Sequence, residues 1–193
     1  PGVGAATGDV PVVGGYVRGI REMCDKYGGV LILDEVMGGM GRTGDLVAFH
    51  QEGIQPDMVA IAKGLGAGYQ PVGATIVRKH IYDAFVNGSG FFQHGHTYMG
   101  HALACAASLA VQKEIRDREL LTNVTVMGER LDRLLHERFG NHPNVGDIRC
   151  RGLFRALELV ADRATQVPLD PAAGITGRLT VAAVHRGPGV FPG

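Results

Sequence analysis

The 193-residue sequence has no excess of either charge: nineteen basic residues face nineteen acidic ones. That balance argues against a nucleic-acid binder driven by bulk charge and against a disordered acidic or basic tail. Its three cysteines, Cys24, Cys105 and Cys150, stand far apart with no CxxC pair. They support neither a disulfide framework nor a zinc ribbon, and the default compartment is a reducing, cytoplasmic one. No apolar run approaches the roughly 20 residues of a membrane span, so no membrane partner is expected. The first residues lack the basic-then-apolar pattern of a secretory leader. No repeat and no low-complexity tract is visible. The phosphate cradle GxxxxGK followed by Ser or Thr is missing as well, because Lys63 has Ala62 before it and Gly64 after it.

What is present is a globular composition, 45% hydrophobic and 20% charged, enough to bury a core. Glycine supplies 30 residues, about twice the usual share of ~7%. The chain opens on Pro1 without a methionine, the start of a processed chain or of a piece of something longer.

Tyr16, Ile20, Met23, Cys24 and Tyr27 fall on one face of a helix, ended by Gly28-Gly29. Val30–Leu33 is a continuous apolar run, the pattern of a strand buried on both faces, and it stops at Asp34-Glu35. A glycine-rich loop runs to Gly44, and a short helix is predicted over Asp45–Glu52 with Asp45 as its N-cap. Met58–Ala62 reads as a second buried strand ending at Lys63, Gly73–Val77 as a third, and Ile81–Phe85 as a short helix. Gly88–His96 reads as loop or irregular strand. Long helices follow from near Gly100 to Arg116 and over Leu120–Phe139. Beyond Pro143 come strands at Val145–Cys150 and Leu153–Val160, a loop over Asp162–Pro171, a helix at Gly177–His185, and a further element beginning at Val190-Phe191. Helices alternating with buried strands predict an α/β fold, part of a mainly parallel sheet flanked by helices. The last stretch reads as the start of an α+β small domain. In open α/β sheets chemistry collects at the carboxyl ends of parallel strands, and Asp34 and Lys63 each stand at such an end.

Several chemistries compete for these residues. Val30–Glu35 has the form of a Walker B strand, but its phosphate loop is missing. Gly39-x-Gly41-x-x-Gly44 matches GxGxxG literally, yet it starts five residues past Asp34 instead of directly off the strand. His94, His96 and His101 offer three imidazoles for a metal, or a polar loop of hydrogen-bonding histidines. Asp34 and Lys63 together fit a pyridine cofactor: lysine bonds an aldehyde as a Schiff base, and the carboxylate pairs with a pyridinium N–H. They equally fit a loop-capping aspartate and a solvated surface lysine.

The combination of Leu31–Val36, Gly41-Arg42-Thr43-Gly44, Pro56-Asp57, Ala62–Gly68 and Pro71–Ala74 resembles the signature of class III pyridoxal-phosphate aminotransferases, of fold type I. His96-Thr97-Tyr98, Gly100-His101 and Ala104–Ala107 resemble that family's next block. The resemblance implies pyridoxal 5'-phosphate as cofactor, with Lys63 holding it as a Schiff base and shuttling a proton, and Asp34 paired with its ring nitrogen. It places Val36 against one ring face. Met37 stands beside the ring, where the family often has a glutamine that contacts the ring hydroxyl. It makes Thr97 a contact to the cofactor phosphate of a neighbouring subunit, hence a homodimer, and Arg42 a brace of the glycine loop. The implied reaction passes an amino group from an amino acid or amine to a 2-oxo acid such as pyruvate or 2-oxoglutarate.

On this resemblance residues 1–140 are part of a cofactor-binding large domain and 141–193 the beginning of a truncated small domain, an incomplete fragment of a two-domain subunit. The alternative is a non-catalytic remnant or interaction module that keeps the fold. The family's sheet order further implies a strand between Val30–Leu33 and Met58–Ala62, supplied from sequence before Pro1, so that these two strands face a gap.

Overall fold

The computed structural model describes residues 3–4 and 10–185; the element expected at Val190-Phe191 lies outside the described residues. A short antiparallel pair, β1 (Val3–Gly4) and β2 (Val10–Pro11), precedes helix α1 (Tyr16–Tyr27). The helix has the predicted bounds but not quite the predicted face. Val17 is buried with Leu31 and Ile54, and Ile20 and Cys24 pack against them, while Tyr16, Met23 and Tyr27 stay exposed. The inward stripe is thus 17, 20 and 24, at helical spacing of three and four.

β3 (Ile32–Asp34), β4 (Met58–Ile61) and β5 (Ala74–Val77) form a sheet in that order. β3 and β4 run parallel in the register Ile32 to Met58, Leu33 to Val59 and Asp34 to Ala60. The expected gap is therefore not there: the two strands satisfy each other's backbone groups directly, and Glu35 N–H continues the ladder to Ala60 O at 2.9 Å. β5 pairs antiparallel with β4. β3 is not buried on both faces either. Leu31 and Leu33 turn inward beneath α1, while Val30 and Ile32, 59% exposed, point to the other side, as alternation along an extended chain requires.

The helix expected from Asp45 is a 3-10 turn, Ala48–Glu52, entered through Val47. Its leading N–H groups, of Ala48 and Phe49, go to the Glu35 carboxylate at 3.0 and 3.1 Å, so a residue far back in sequence takes the capping role predicted for Asp45.

α2 spans Lys79–Asn87, one turn longer than expected. Residues 88–101 hold no helix or strand, and His101 Nδ1 caps α3 (Ala102–Asp117) by accepting the Ala104 N–H at 3.4 Å. α4 (Leu120–Phe139) follows, and then β6 (Val145–Arg151) and β7 (Phe154–Asp162) form an antiparallel hairpin. The stretch expected to be loop contains β8 (Val167–Pro168), paired with β7, and a 3-10 turn at Pro171–Ala173 capped by Asp170. α5 (Ile175–Val184) ends the described chain. No helix among the described residues is long and apolar enough to cross a membrane.

Candidate active site

Parallel pairing of β3 and β4 brings their carboxyl ends side by side. Asp34 closes β3, and its Oδ1 accepts the Val36 N–H at 2.9 Å, turning the chain sharply off the strand. Lys63, two residues past β4, opens the 3-10 turn Lys63–Leu65. Its carbonyl accepts the N–H groups of Gly66 (3.2 Å) and Ala67 (3.0 Å). The lysine has φ 43°, a left-handed backbone that costs about 1–2 kcal/mol for a residue with a Cβ. Both side chains are exposed.

Val36 and Met37 lie half-buried in the turns after Asp34. Thr97 sits exposed in the turn before α3, and among the described residues it makes no hydrogen bond to Asp34 or Lys63. Arg42, within the glycine loop, ties that loop by its backbone to the turn between β6 and β7: its carbonyl accepts the Leu153 N–H at 3.1 Å, while its side chain is exposed.

Glu35, adjacent to Asp34, is 2% exposed. Burial raises its pKa, while the Ala48 and Phe49 N–H groups and the nearby Arg151 charge favour the carboxylate. Together with the ladder bond to Ala60, this carboxyl anchors the chain on the far side of Asp34. At the opposite end of the sheet Asp57, 5% exposed, ties the strands together. Its Oδ2 accepts the Leu31 N–H (2.8 Å) and Arg21 Nη1 (2.6 Å), its Oδ1 faces His80 Nε2 at 3.2 Å, and its carbonyl accepts the Arg78 N–H. Burial alone would raise the Asp57 pKa, but Arg21 and the Leu31 N–H outweigh it and hold the carboxyl below its ordinary value. The sequence placed Glu35 only in the Walker B form and the Leu31–Val36 motif, and Asp57 only in the Pro56-Asp57 motif, with no clamping role for either. Neither lies in an apolar period; the one signal is a carboxylate placed directly beside a buried strand.

The lysine turn is packed closely. A Cβ on Gly64 would stand 2.7 Å from Met40 Cβ, which only glycine avoids. From the other side, Gln112 of α3 donates through Nε2 to Leu65 O at 3.4 Å. Arg151, at the end of β6, reaches the 48–52 turn by donating to Gln51 Oε1 (2.8 Å) and Ala48 O (3.2 Å). A cavity of about 180 Å³ lies between α1, β3 and that turn, and neither Asp34 nor Lys63 lines it.

Among the described residues Lys63 Nζ makes no hydrogen bond or ion pair, and only one oxygen of Asp34 is engaged. An uncommitted amine and an uncommitted carboxylate oxygen on adjacent strand ends fit a cofactor that needs one group at each pole of a ring.

The fold is that of pyridoxal-phosphate-dependent transaminases. A thermostable (S)-enantioselective omega-transaminase from Thermomicrobium roseum superposes with TM-score 0.94 at 37% identity, covering 99% of this chain and 42% of that one. A PLP-bound amine transaminase from an uncultivated Pseudomonas species superposes with TM-score 0.92 at 41% identity, covering 98% and 44%. Among curated proteins, an aminotransferase of Gibberella zeae is 47% identical over 192 residues, 99% of this chain and 38% of its own length. The class III aminotransferase family model matches residues 1–190, and the chain belongs to that family. It spans well under half the length of the relatives it matches.

Proposed function

We propose that this chain carries the cofactor-bonding half of a pyridoxal-phosphate-dependent transaminase site, with Lys63 and Asp34 as the two poles. The observation that carries the reading is their placement at the ends of two directly paired parallel strands, Asp34 opposite Ala60 and Lys63 three residues further on. When bound, the cofactor supplies an aldehyde that bonds amines and a protonated ring that accepts the electron pair released at the substrate Cα. Asp34 keeps the proton on the ring nitrogen. Lys63 would hold the cofactor through its amine and would move the proton at the substrate Cα. Val36 and Met37 border the ring, and Thr97 contacts a phosphate across a homodimer interface. Substrates are an amino acid or amine and a 2-oxo acid, in a cytoplasmic setting. Residues 1–140 form part of the large domain and 141–193 the beginning of the small one.

The exposure of both key side chains bears on activity. A lysine amine gains nucleophilic character by desolvation, and the reaction requires exclusion of water. These 193 residues are accordingly expected to bond the cofactor more readily than to turn over substrate. The test is a visible absorbance scan with added pyridoxal phosphate before and after borohydride, followed by peptide mapping. A reducible adduct that maps to Lys63 in preference to the other lysines, and a band reduced in Lys63→Ala, are expected. Adducts that map to other lysines but not to Lys63 sink the assignment.

A further inference from the structure

Three residues with side chains hold a left-handed backbone around the candidate lysine: Met40 (φ 55°), Lys63 (φ 43°) and Ala67 (φ 48°). Such backbone persists where its surroundings over-determine it. Met40 meets the lysine turn at Gly64, where the 2.7 Å between Met40 Cβ and an added Gly64 Cβ leaves room for one methyl group, not two. Met40 is itself fixed, its N–H donating to Leu46 O at 2.6 Å. Two residues on, the loop is gripped by the β6–β7 turn. Leu153 N–H donates to Arg42 O, and Gly152, at φ 61°, lies so close that a Cβ there would stand 2.6 Å from the Thr43 carbonyl carbon.

We propose that Met40 is a positioning residue for Lys63. By filling the space over Gly64 it fixes the 3-10 turn Lys63–Leu65 with its left-handed Lys63, and with it the direction from which the amine meets a bound aldehyde. The glycine loop, whose spacing imitates a dinucleotide motif, is on this account a packing junction between the C-terminal hairpin and the lysine. The inference rests on the reading of Lys63 as the cofactor-bonding residue.

The test moves the methyl group. Gly64→Ala adds a second one where one fits. Met40→Gly removes the first, at a backbone position glycine adopts without strain. The double variant has one again. Each protein is incubated with pyridoxal phosphate, reduced with borohydride and digested, and labelling of the Lys63 peptide is followed relative to the exposed Lys79 and Lys113, with circular dichroism alongside. Each single variant is expected to slow labelling at Lys63 relative to the other lysines, on the order of tenfold, and the double variant to regain most of it. Single variants that label at the wild-type ratio, or a double variant no faster than the slower single one, overturn the proposal. Should Gly64→Ala fail to fold, Met40→Gly against Met40→Leu decides: slow labelling for glycine with recovery for leucine supports the proposal, and equal ratios overturn it. Wild-type protein that labels Lys79 and Lys113 but not Lys63 overturns the functional reading and this inference together. Normal wild-type labelling with unaffected variants overturns the inference alone.

Discussion

The sheet β3–β4–β5 has strands of only three or four residues, brought together from positions 32, 58 and 74. The sheet after α4 rests on strands of seven and nine residues joined by a two-residue turn. In the second sheet neighbours in sequence are neighbours in space, and a ladder unbroken from Asp147 to Arg151, resumed at Val145 past a register shift, supplies the cohesion. Arg149 crosses it to Glu158, and Arg155 reaches back to Asp132 and Gly128 O on α4. The first sheet has little ladder to rely on. Two buried carboxylates, Asp57 at one end and Glu35 at the other, bind segments that lie far apart in the chain. The sheet presenting the candidate chemistry thus depends on a few polar clamps, whereas the sheet without candidate site residues depends on length.

Removing a clamp should therefore cost more than removing a comparable contact in the hairpin. Asp57→Ala leaves Arg21 with Asp25 alone as its carboxylate partner and the Leu31 N–H unsatisfied, and is expected to destabilise by about 2–4 kcal/mol in chemical denaturation. Its folded pKa lies below the ordinary value, so its contribution is present above about pH 4 and fades as pH falls through the folded pKa. The deficit of Asp57→Asn should accordingly shrink on acidification. Glu35→Gln is next, at about 1–3 kcal/mol, because the amide presents an N–H to one of two backbone donors. The sign is opposite here. With a raised folded pKa, Glu35 contributes most below the unfolded value near 4.3 and progressively less as pH rises through the folded one. A deficit that narrows towards neutral pH, read from urea melts across pH, distinguishes this clamp from Asp57.

In the second sheet Arg155→Met loses a hydrogen-bonded pair with the half-exposed Asp132 and is expected to cost about 1–2 kcal/mol. A loss as large as that of Asp57→Ala would erase the contrast between the sheets. Smallest is Asp83→Ala on α2, which breaks an exposed pair with Lys79 and should shift stability by no more than about 0.5 kcal/mol. A larger thermal shift would mean that α2 contributes to the clamp through its neighbour His80.

The bounds of helices α1 and α4 were legible, because apolar spacing and flanking glycines mark a local, repeating geometry, but the buried stripe of α1 is 17, 20 and 24 and not the expected Tyr16, Met23 and Tyr27. Strands β3 to β7 were located to within a residue or two, whereas the two-residue strands β1, β2 and β8 were not expected, and the family resemblance rested on motifs contiguous in sequence. Which strands pair was not legible. Residues 32 and 58 meet directly, and no local pattern states it. The cap of the 48–52 turn was misread for the same reason: Asp45 is the local candidate, but Glu35 occupies the position in space. Thr97 falls within its family block and Met37 stands where the family often has glutamine, and hydrogen bonding among the described residues joins neither to Lys63.

By itself the sequence determined the residue types at the strand ends, the α/β alternation and the family, since each is written in composition, periodicity or contiguous motif. The tertiary structure alone decided that Asp34 and Lys63 stand on adjacent strands, that Glu35 and Asp57 are clamps, and that Met40 lies over Gly64. These are contacts between distant segments. Their energy comes from desolvated carboxylates and close packing, which exist only once the chain has folded.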